Sequence, residues 1–289
     1  MDRILITGVS GFIGSYLAKY LLRDENNLVY GIDDFSSSTM TNLYPLLKNR
    51  RFHFLEHNLL SEIPFSVDYI YHLAGNGDLA NYSKNKYNFI LNKIDVLKNI
   101  INYTILNGSR IIIPTQYCDY QLHKIEYSEY FDCIKLCDDL LLNLIDKNKI
   151  NCTLARLDSV YGKNMLKDDN RFIPKAINDA LLNKNFTLDF DEEYYFTYID
   201  DVVINLVKLM NNYSKKPIVD IIHNFKNLKS DVIKMIIKCA NSSSSLKVNS
   251  NIVMPSEFKP NFSINYECNT SLTEGILNTV KYFKLMYFS

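Results

Sequence analysis

The chain has 289 residues, of which 47% are hydrophobic and 22% are charged, as is usual for a globular protein. Its 32 basic and 32 acidic residues give a formal net charge of zero, which argues against nucleic acid as a partner. No apolar run approaches the length of a membrane span, and Met1 leads almost directly into the first predicted strand without a signal peptide, so we expect a cytoplasmic protein without a membrane partner. Since the six cysteines form no C-x-x-C pair and join no histidine cluster, we expect reduced packing thiols and no metal site.

The first predicted element is a buried strand that runs into a glycine-rich turn. Residues 4–6 are apolar, Gly8, Gly11 and Gly14 follow at intervals of three, and apolar residues at helical spacing come next. Strand, glycine turn and helix are the context of a dinucleotide-binding fingerprint. Gly8 permits the tight turn, Gly11 lets the backbone approach a pyrophosphate, and Gly14 lets the helix pack on the strand.

A second strand is predicted at 28–32 and ends in Asp33 and Asp34. Asp33 lies about 20 residues beyond the glycines, where an acidic side chain binds the hydroxyls of the adenosine ribose. A carboxylate at this place repels a 2′-phosphate, which favours NAD over NADP as the cofactor. The alternative interpretation is an ordinary loop acid after a strand.

Strands and helices continue to alternate along the chain. Strands are predicted at 51–56, 68–76, 110–114, 151–157 and 217–223, and two long helices at 86–106 and 126–147. His72 lies within an apolar run, which favours a packed core histidine over a catalytic one. The alternation predicts an α/β protein with a Rossmann-type, doubly wound parallel sheet and a smaller C-terminal substrate-binding part.

We therefore expect two functional parts. Residues 1–162 would form an NAD-binding Rossmann domain, and residues 163–289 would be mainly a substrate-binding part. Within the second part, about residues 195–225 are expected to rejoin the Rossmann sheet. Polar loops are predicted at 163–171 and 189–193.

Five stretches together carry a resemblance to a known family. They are the fingerprint at 7–14, Tyr71-His72-Leu73-Ala74, Asn92 on the following helix, the R-x-x-x-V-Y-G stretch at 156–162 and the F-x-Y-V-D-D-V-like stretch at 196–202. In these stretches the chain resembles the extended short-chain dehydrogenase/reductase family, in particular its nucleotide-sugar epimerases, dehydratases and 4-ketoreductases. The resemblance implies NAD as cofactor, a nucleotide-diphosphate sugar as substrate, and oxidation or reduction at the sugar C4.

The catalytic motif of that family is Y-x-x-x-K, with a Ser or Thr at the end of the preceding strand. Lys135 fits the lysine, but Phe131 stands where the tyrosine is expected. A phenyl ring has no ionisable oxygen, and losing a positioned proton-transfer group typically costs about 10²–10⁴-fold in rate. Three explanations stay open: an engineered substitution that traps a complex, a natural loss of the base, or a hydroxyl supplied by Tyr127 or Tyr130.

Other positions also bear on the family's catalytic and substrate sites. Thr115 is the candidate for the Ser/Thr role, unless it is simply a β-branched residue that ends a strand, and Lys135 could be a solvated helix lysine. Tyr194 replaces an arginine that often binds the nucleotide diphosphate, so Arg171 or a lysine would have to compensate. Asn58 stands where the family often has an Asp near the adenine. The segment between Thr115 and Phe131 is short for the family, which resembles the compact 4-ketoreductase branch more than the long-loop epimerases.

The resemblance assigns further residues to each site. Cofactor contacts are implied for Gly8, Gly11, Phe12, Ile13, Gly14, Asp33, Asp34, Asn58, Leu59, Leu73, Ala74, Gly75, Asn92, Lys135, Asp158 and Val160. Substrate contacts are implied for Asn76, Thr115, Gln116, Ser159, Arg171 and Tyr194.

Two wider expectations follow from the same resemblance. The helices 86–106 and 126–147 resemble those that form a four-helix homodimer interface, although they could simply pack on the sheet. The rival function is a non-catalytic protein that binds NAD and a nucleotide sugar. Phe131 and Tyr194 support the rival, whereas Lys135, Thr115 and the turn at 158–162 speak against it.

Overall fold

The computed structural model describes residues 1–75, 82, 85–116, 128–212, 216–254 and 268–288. The strands are β1 (Asp2–Thr7), β2 (Asn27–Asp33), β3 (Phe52–Glu56), β4 (Tyr69–His72), β5 (Arg110–Gln116), β6 (Asn151–Leu157), β7 (Val160–Tyr161), β8 (Phe186–Leu188), β9 (Asp191–Tyr195), β10 (Thr197–Tyr198), β11 (Ile218–Ile221), β12 (Lys226–Leu228), β13 (Leu246–Val248) and β14 (Val253–Met254). The helices are α1 (Phe12–Leu21), α2 (Lys86–Asn107), α3 (Ser128–Asp146), α4 (Phe172–Leu181), α5 (Ile199–Asn211), α6 (Lys229–Ala240) and α7 (Leu272–Tyr287), with one 3-10 turn at Met40–Asn42.

The main sheet has seven strands in the order β11-β6-β5-β4-β1-β2-β3. β1 lies in its interior and pairs in parallel with β2 and β4, so that Leu5 is level with Tyr30 and Ile70. This order, with α1 between β1 and β2, α2 between β4 and β5, and α3 between β5 and β6, confirms the predicted Rossmann-type fold. It also brings the carboxyl ends of β1 to β5 to one edge, where ligands bind in open α/β sheets.

The core of the sheet is built from the apolar strand residues and one face of each long helix. Leu5, Ile32 and Ile111 are buried with Leu97 and Ile100 of α2 in one hydrophobic cluster. Helices α2 and α3 therefore lie where the sequence periodicity predicted them. Their inner faces pack on the sheet that ends at the candidate site.

The chain divides into two compact units. The first contains Met1–Arg156 and Leu206–Asp220, and the second contains Leu157–Asn205 and Ile221–Ser289. The first unit is the Rossmann sheet with α1, α2 and α3. The second has three small sheets, ordered β10-β7, β12-β9-β14 and β13-β8, and includes α4, α6 and α7.

One loop prediction is wrong in part. Most of the stretch 189–193 belongs to strand β9, which pairs with β12 and β14. Its acidic side chains are matched by neighbours: Asp191 accepts the Ser230 N–H at 3.1 Å, and Glu192 pairs with Lys229. A charged stretch can form a strand when each carboxylate has such a partner, and local sequence does not reveal those partners.

None of the described helices is both long and apolar enough to cross a membrane. Among the described residues there is also no group of three or more His, Cys, Asp or Glu side chains placed to hold a metal ion.

Candidate functional site

The glycine turn after β1 leaves bare backbone at the start of α1. Gly8 has φ +70°, and a Cβ there would lie 2.8 Å from the backbone nitrogen of Ala74. A Cβ on Gly11 would lie 3.2 Å from the Gly8 carbonyl oxygen, and one on Gly14 would overlap that oxygen. Gly11 is the N-cap of α1 and has an extended backbone with no side-chain cap. This geometry suits an anion held by the N-terminus of the helix, as the sequence predicted for a pyrophosphate.

Asp33 is buried at the carboxyl end of β2 and is held by the glycine turn and the following loop. Its Oδ2 accepts the Ser10 N–H at 3.0 Å, and its Oδ1 accepts the Phe35 N–H and the Ser38 hydroxyl, each at 3.0 Å. The neighbouring Asp34 is exposed. A carboxylate fixed in this way can accept ribose hydroxyls and would repel a 2′-phosphate.

The end of β3 contributes Asn58 and Leu59 to the same edge. Leu59 is buried, whereas the side chain of Asn58 is exposed and its carbonyl accepts the Leu60 N–H at 2.9 Å. The amide NH₂ of Asn58 can therefore act as a hydrogen-bond donor toward a ring such as adenine.

The loop after β4 passes close to the glycine turn. The backbone N–H groups of Leu73 and Ala74 donate to the carbonyl and hydroxyl oxygens of Thr7, at 3.1 and 3.3 Å. Gly75 follows with φ +78° and is exposed. His72 is a packed core histidine: its Nδ1 lies 2.8 Å from the Thr7 hydroxyl, and burial lowers its pKa to about 3.

A polar cluster lies beside the end of β5. Thr115 is buried, and its hydroxyl donates to Oδ2 of Asp138 on α3 at 2.8 Å. Burial raises the pKa of Asp138 to about 6, although the Thr115 hydrogen bond and Lys93 oppose this rise. Lys93 on α2 donates from Nζ to the carbonyl oxygen of Gly75 at 3.1 Å, and burial lowers its pKa. Gln116, the next residue, is exposed.

Asp138 and Lys93 were missed by the sequence analysis. Each looks like an ordinary helix residue in sequence. A possible signal was that both interrupt the inner, apolar faces of the two long helices, since Lys93 is only partly exposed and stands next to the predicted contact Asn92.

The predicted Y-x-x-x-K region lies on α3. Phe131 is half-buried, and its ring centroid is 5.4 Å from that of Tyr130. Tyr130 itself is buried with Tyr82 and Ile134 in a hydrophobic cluster, against which the partly buried Phe89 packs, so it is a core residue of this helix. Lys135 and Asn92 are exposed. The predicted contact Asn76 and the alternative base Tyr127 lie outside the described residues.

The turn 158–162 belongs to the second unit. Burial raises the pKa of Asp158 to about 6, and its Oδ1 accepts the Ser159 hydroxyl at 3.0 Å. Ser159 has φ +36°, a conformation that costs energy for a residue with a side chain. Val160 is buried in β7, where it is level with Thr197 of β10. The turn is thus held by the hydrogen bond between Ser159 and Asp158, and its backbone is strained at Ser159.

The region around Tyr194 also lies in the second unit. Arg171 is exposed and makes a bidentate ion pair with Asp169. Lys229 pairs with Glu192, and its Nζ lies 4.7 Å from the centroid of the Tyr194 ring. Lys229 is therefore a cation beside Tyr194, and sequence reasoning had left that lysine unnamed.

Comparison with known proteins places these features in a family context. The model of the NAD dependent epimerase/dehydratase family matches residues 4–222. UDP-glucuronic acid decarboxylase 3 of Arabidopsis thaliana is 27% identical over 233 residues, which cover 75% of this chain and 68% of the relative. UDP-glucuronic acid decarboxylase 1 of Danio rerio is 22% identical, over 97% of this chain and 72% of the relative.

Solved structures agree with the fold. The UDP-glucuronic acid 4-epimerase of Bacillus cereus, in complex with UDP-glucuronic acid and NAD, superposes with a TM-score of 0.83 at 24% identity and covers 99% of this chain and 100% of that chain. The dTDP-glucose 4,6-dehydratase of Streptomyces venezuelae superposes with a TM-score of 0.82 at 15% identity, over 98% of this chain and 97% of that chain.

Proposed function

Because the chain belongs to the NAD dependent epimerase/dehydratase family, we propose that it oxidises and reduces C4 of a nucleotide-diphosphate sugar. The family's dependence on NAD agrees with the cofactor predicted from Asp33. The observation that supports the proposal is the carboxyl edge of the sheet in the first unit, where the glycine turn, the fixed Asp33 carboxylate and the loop after β4 come together and offer backbone and a carboxylate to a dinucleotide.

We assign the cofactor to this edge residue by residue. The backbone from Gly8 to Gly14 would hold the pyrophosphate, Asp33 the adenosine ribose and Asn58 the adenine. When bound, NAD would supply a hydride acceptor and, for the return step, a hydride donor. We keep residues 1–162 as the NAD-binding part and 163–289 as mainly substrate-binding, with about 195–225 returning to the sheet.

UDP-glucuronic acid is the substrate that we propose to test first. UDP-glucuronic acid appears in the names of both the Arabidopsis thaliana decarboxylase and the Bacillus cereus epimerase. The two activities share a chemical start, because oxidation at C4 turns the uronic acid into a β-keto acid, which either loses carbon dioxide or is reduced again. Lys229, beside Tyr194, supports a cationic contact for the nucleotide diphosphate.

Phe131 supports a second candidate function. With a phenyl ring at this position, the chain could bind NAD and a nucleotide sugar without turning the sugar over. This rival predicts cofactor binding with no sugar-dependent change in the nicotinamide.

A homodimer is part of the proposal. Tyr87 and Leu91 of α2 and Leu136 and Leu140 of α3 are exposed apolar side chains spaced four residues apart. Such stripes on two adjacent helices favour packing against a second copy of the chain.

The test compares the protein as it is with its Phe131→Tyr variant, each supplied with NAD and UDP-glucuronic acid. Nicotinamide absorbance and product mass are followed, and NAD affinity is measured by calorimetry. We expect both proteins to bind NAD and the variant to turn over about 10²–10⁴-fold faster, because tyrosine restores a direct proton acceptor. Phe190→Tyr, which adds a hydroxyl to an exposed ring in the second unit, is the matched control.

If neither protein changes the sugar while both bind NAD, the non-catalytic function replaces the proposed one. If neither binds NAD, both candidate functions are wrong.

A further inference from the structure

The first unit contains a carboxylate able to accept a proton on the same helix as Phe131, seven residues further along α3. The hydroxyl of Thr115, which the sequence placed at the reacting sugar oxygen, donates to Asp138 at 2.8 Å. Thr115 is only 6% exposed, so water competes little for this hydrogen bond. Lys93 approaches the same cluster from α2 and anchors the carbonyl of Gly75 at the cofactor edge.

We propose that Asp138 accepts, through the hydroxyl of Thr115, the proton that a tyrosine at position 131 would otherwise take from the sugar. Asp138 is then a positioning residue that works through Thr115 and does not touch the substrate. This inference rests on the proposed function, since it needs a sugar hydroxyl at Thr115.

The proton transfer balances without a further reactant. Oxidation of the sugar breaks its C4–H and O–H bonds and forms a C4 carbonyl. The hydride from C4 would be accepted by bound NAD. The sugar proton passes to Oγ1 of Thr115 while the Thr115 proton passes to Oδ2 of Asp138. Reduction runs the same two transfers backward and leaves both residues unchanged.

The surroundings of Asp138 suit a group that gains and loses a proton near neutral pH. Burial raises the pKa of its carboxyl to about 6, so the carboxylate is the main form at pH 7 and can still be protonated. The titratable and charged groups that face it are Lys93 of α2, Arg156 and Cys152 of β6, and Asp139 and Cys137 on its own helix. Below pH 6 the carboxyl is already protonated, so sugar oxidation should slow as the pH falls through that value.

The kinetic test uses Asp138→Asn, with the exposed neighbour Asp139→Asn as a matched control. We expect Asp138→Asn to lose about 10²-fold or more in the rate of sugar oxidation at pH 7 and to lose the fall in rate on acidification, while Asp139→Asn keeps the rate at pH 7 and still slows as the pH falls. Phe131→Tyr combined with Asp138→Asn should recover the rate, because tyrosine accepts the proton directly. A purely structural role for Asp138 predicts no recovery and no change in the pH profile.

A second readout needs neither cofactor nor turnover. Carbon NMR of the aspartate carboxyls follows the titration of Asp138, assigned by its absence in Asp138→Asn. Since the Thr115 hydrogen bond favours the carboxylate, Thr115→Val should move this titration to higher pH. An unchanged titration in Thr115→Val would show that the hydrogen bond is absent in solution, and the proposal would be wrong.

The outcomes separate this inference from the proposed function. If the Phe131→Tyr variant oxidises the sugar and the original protein does not, the proposed function stands and the role of Asp138 is overturned. Equal rates and pH profiles in the original protein and Asp138→Asn overturn it as well. If neither the original protein nor Phe131→Tyr oxidises the sugar, the proposed function fails and this inference falls with it.

Discussion

At the scale of a single side chain, Asp33 is the residue that we propose selects NAD over NADP. Its two oxygens receive three hydrogen bonds, from Ser10, Phe35 and Ser38, which fix the carboxylate at the end of β2. We expect Asp33→Asn to weaken NAD binding about 10-fold or more, because an amide accepts ribose hydroxyls less well and loses part of this bonding. NADP should be discriminated against less strongly, since the repelling charge is gone. Calorimetric titration with both cofactors measures the two effects.

The control for this prediction is Glu25→Gln, which removes one negative charge from an exposed residue elsewhere in the first unit. Equal NAD affinity in Asp33→Asn and the original protein would show that the ribose does not lie on Asp33.

His72 makes the stability of the protein depend on pH. Burial lowers its pKa to about 3, whereas the unfolded chain has an ordinary histidine near 6.5. As the pH falls from about 6.5 towards 3, His72 binds a proton in the unfolded chain but stays neutral in the folded protein. The free energy of unfolding should therefore fall by about 1.4 kcal/mol per pH unit in that window because of this residue.

Urea unfolding at pH 7, 6 and 5 measures the effect in the original protein and in His72→Gln. Asp138 and Asp158, whose pKa values burial raises to about 6, act in the opposite direction, so the comparison of slopes isolates His72. On acidification the free energy of unfolding of His72→Gln should fall less, or rise more, than that of the original protein, whereas His53→Gln, at an exposed site, should keep the original slope. Identical slopes in all three proteins would contradict the prediction.

The residues whose placement can be predicted from sequence are those whose geometry is local. The glycines and Asp33 follow from one turn between one strand and one helix, so their spacing in the chain reports their geometry. The pair Thr115 and Asp138 could not be assigned in this way. The two residues are 23 positions apart, and their contact depends on how α3 packs on β5.

At the scale of elements, the number of residues in a helix or strand decided whether it could be predicted from the sequence. Helix α2 and strands such as β6 extend over enough residues for a hydrophobic period to be read, and both were predicted within a residue of their observed ends. The strands of the second unit have two to five residues, too few for a period. The acidic β9 was taken in part for a loop because its ion pairs come from β12 and α6, which lie more than 30 residues later.

An ion pair joins two strands of the main sheet. Arg156 of β6 donates to Asp220 of β11 from Nε and Nη2, at 2.5 and 3.0 Å, and the Asp220 side chain is fully buried. Removing Asp220 takes away the carboxylate that receives both of these hydrogen bonds from the Arg156 guanidinium. We expect Asp220→Ala to lower the free energy of unfolding by about 3–5 kcal/mol.

Chemical unfolding monitored by circular dichroism tests this. Asp231→Ala is the matched control, because it breaks an exposed pair with Lys234 and should cost less than about 1 kcal/mol. A loss in Asp220→Ala no larger than in the control would mean that water replaces the lost partner.

At the scale of the whole molecule, fold and detailed chemistry rest on different kinds of evidence. The alternation of strands and helices in the sequence predicts the Rossmann sheet, and solved structures at 15 to 24% identity share that fold. Fold does not decide chemistry, and position 131 is where we propose that this difference lies. If the proposed function is right, this one side chain decides whether a proton is taken from the substrate directly, through another residue, or not at all.

The last prediction concerns assembly. Leu136 and Leu140 are 62% and 51% exposed on α3, next to the exposed apolar residues of α2, and a stable interface would cover them. We expect the protein to sediment as a dimer at micromolar concentration and the double variant Leu136→Glu with Leu140→Glu to sediment as a monomer, because four like charges would meet across a two-fold interface. Leu285→Glu, at a 70% exposed leucine of α7, should remain dimeric. If the original protein is a monomer, these apolar stripes serve another partner; if the double variant stays a dimer, the interface lies elsewhere.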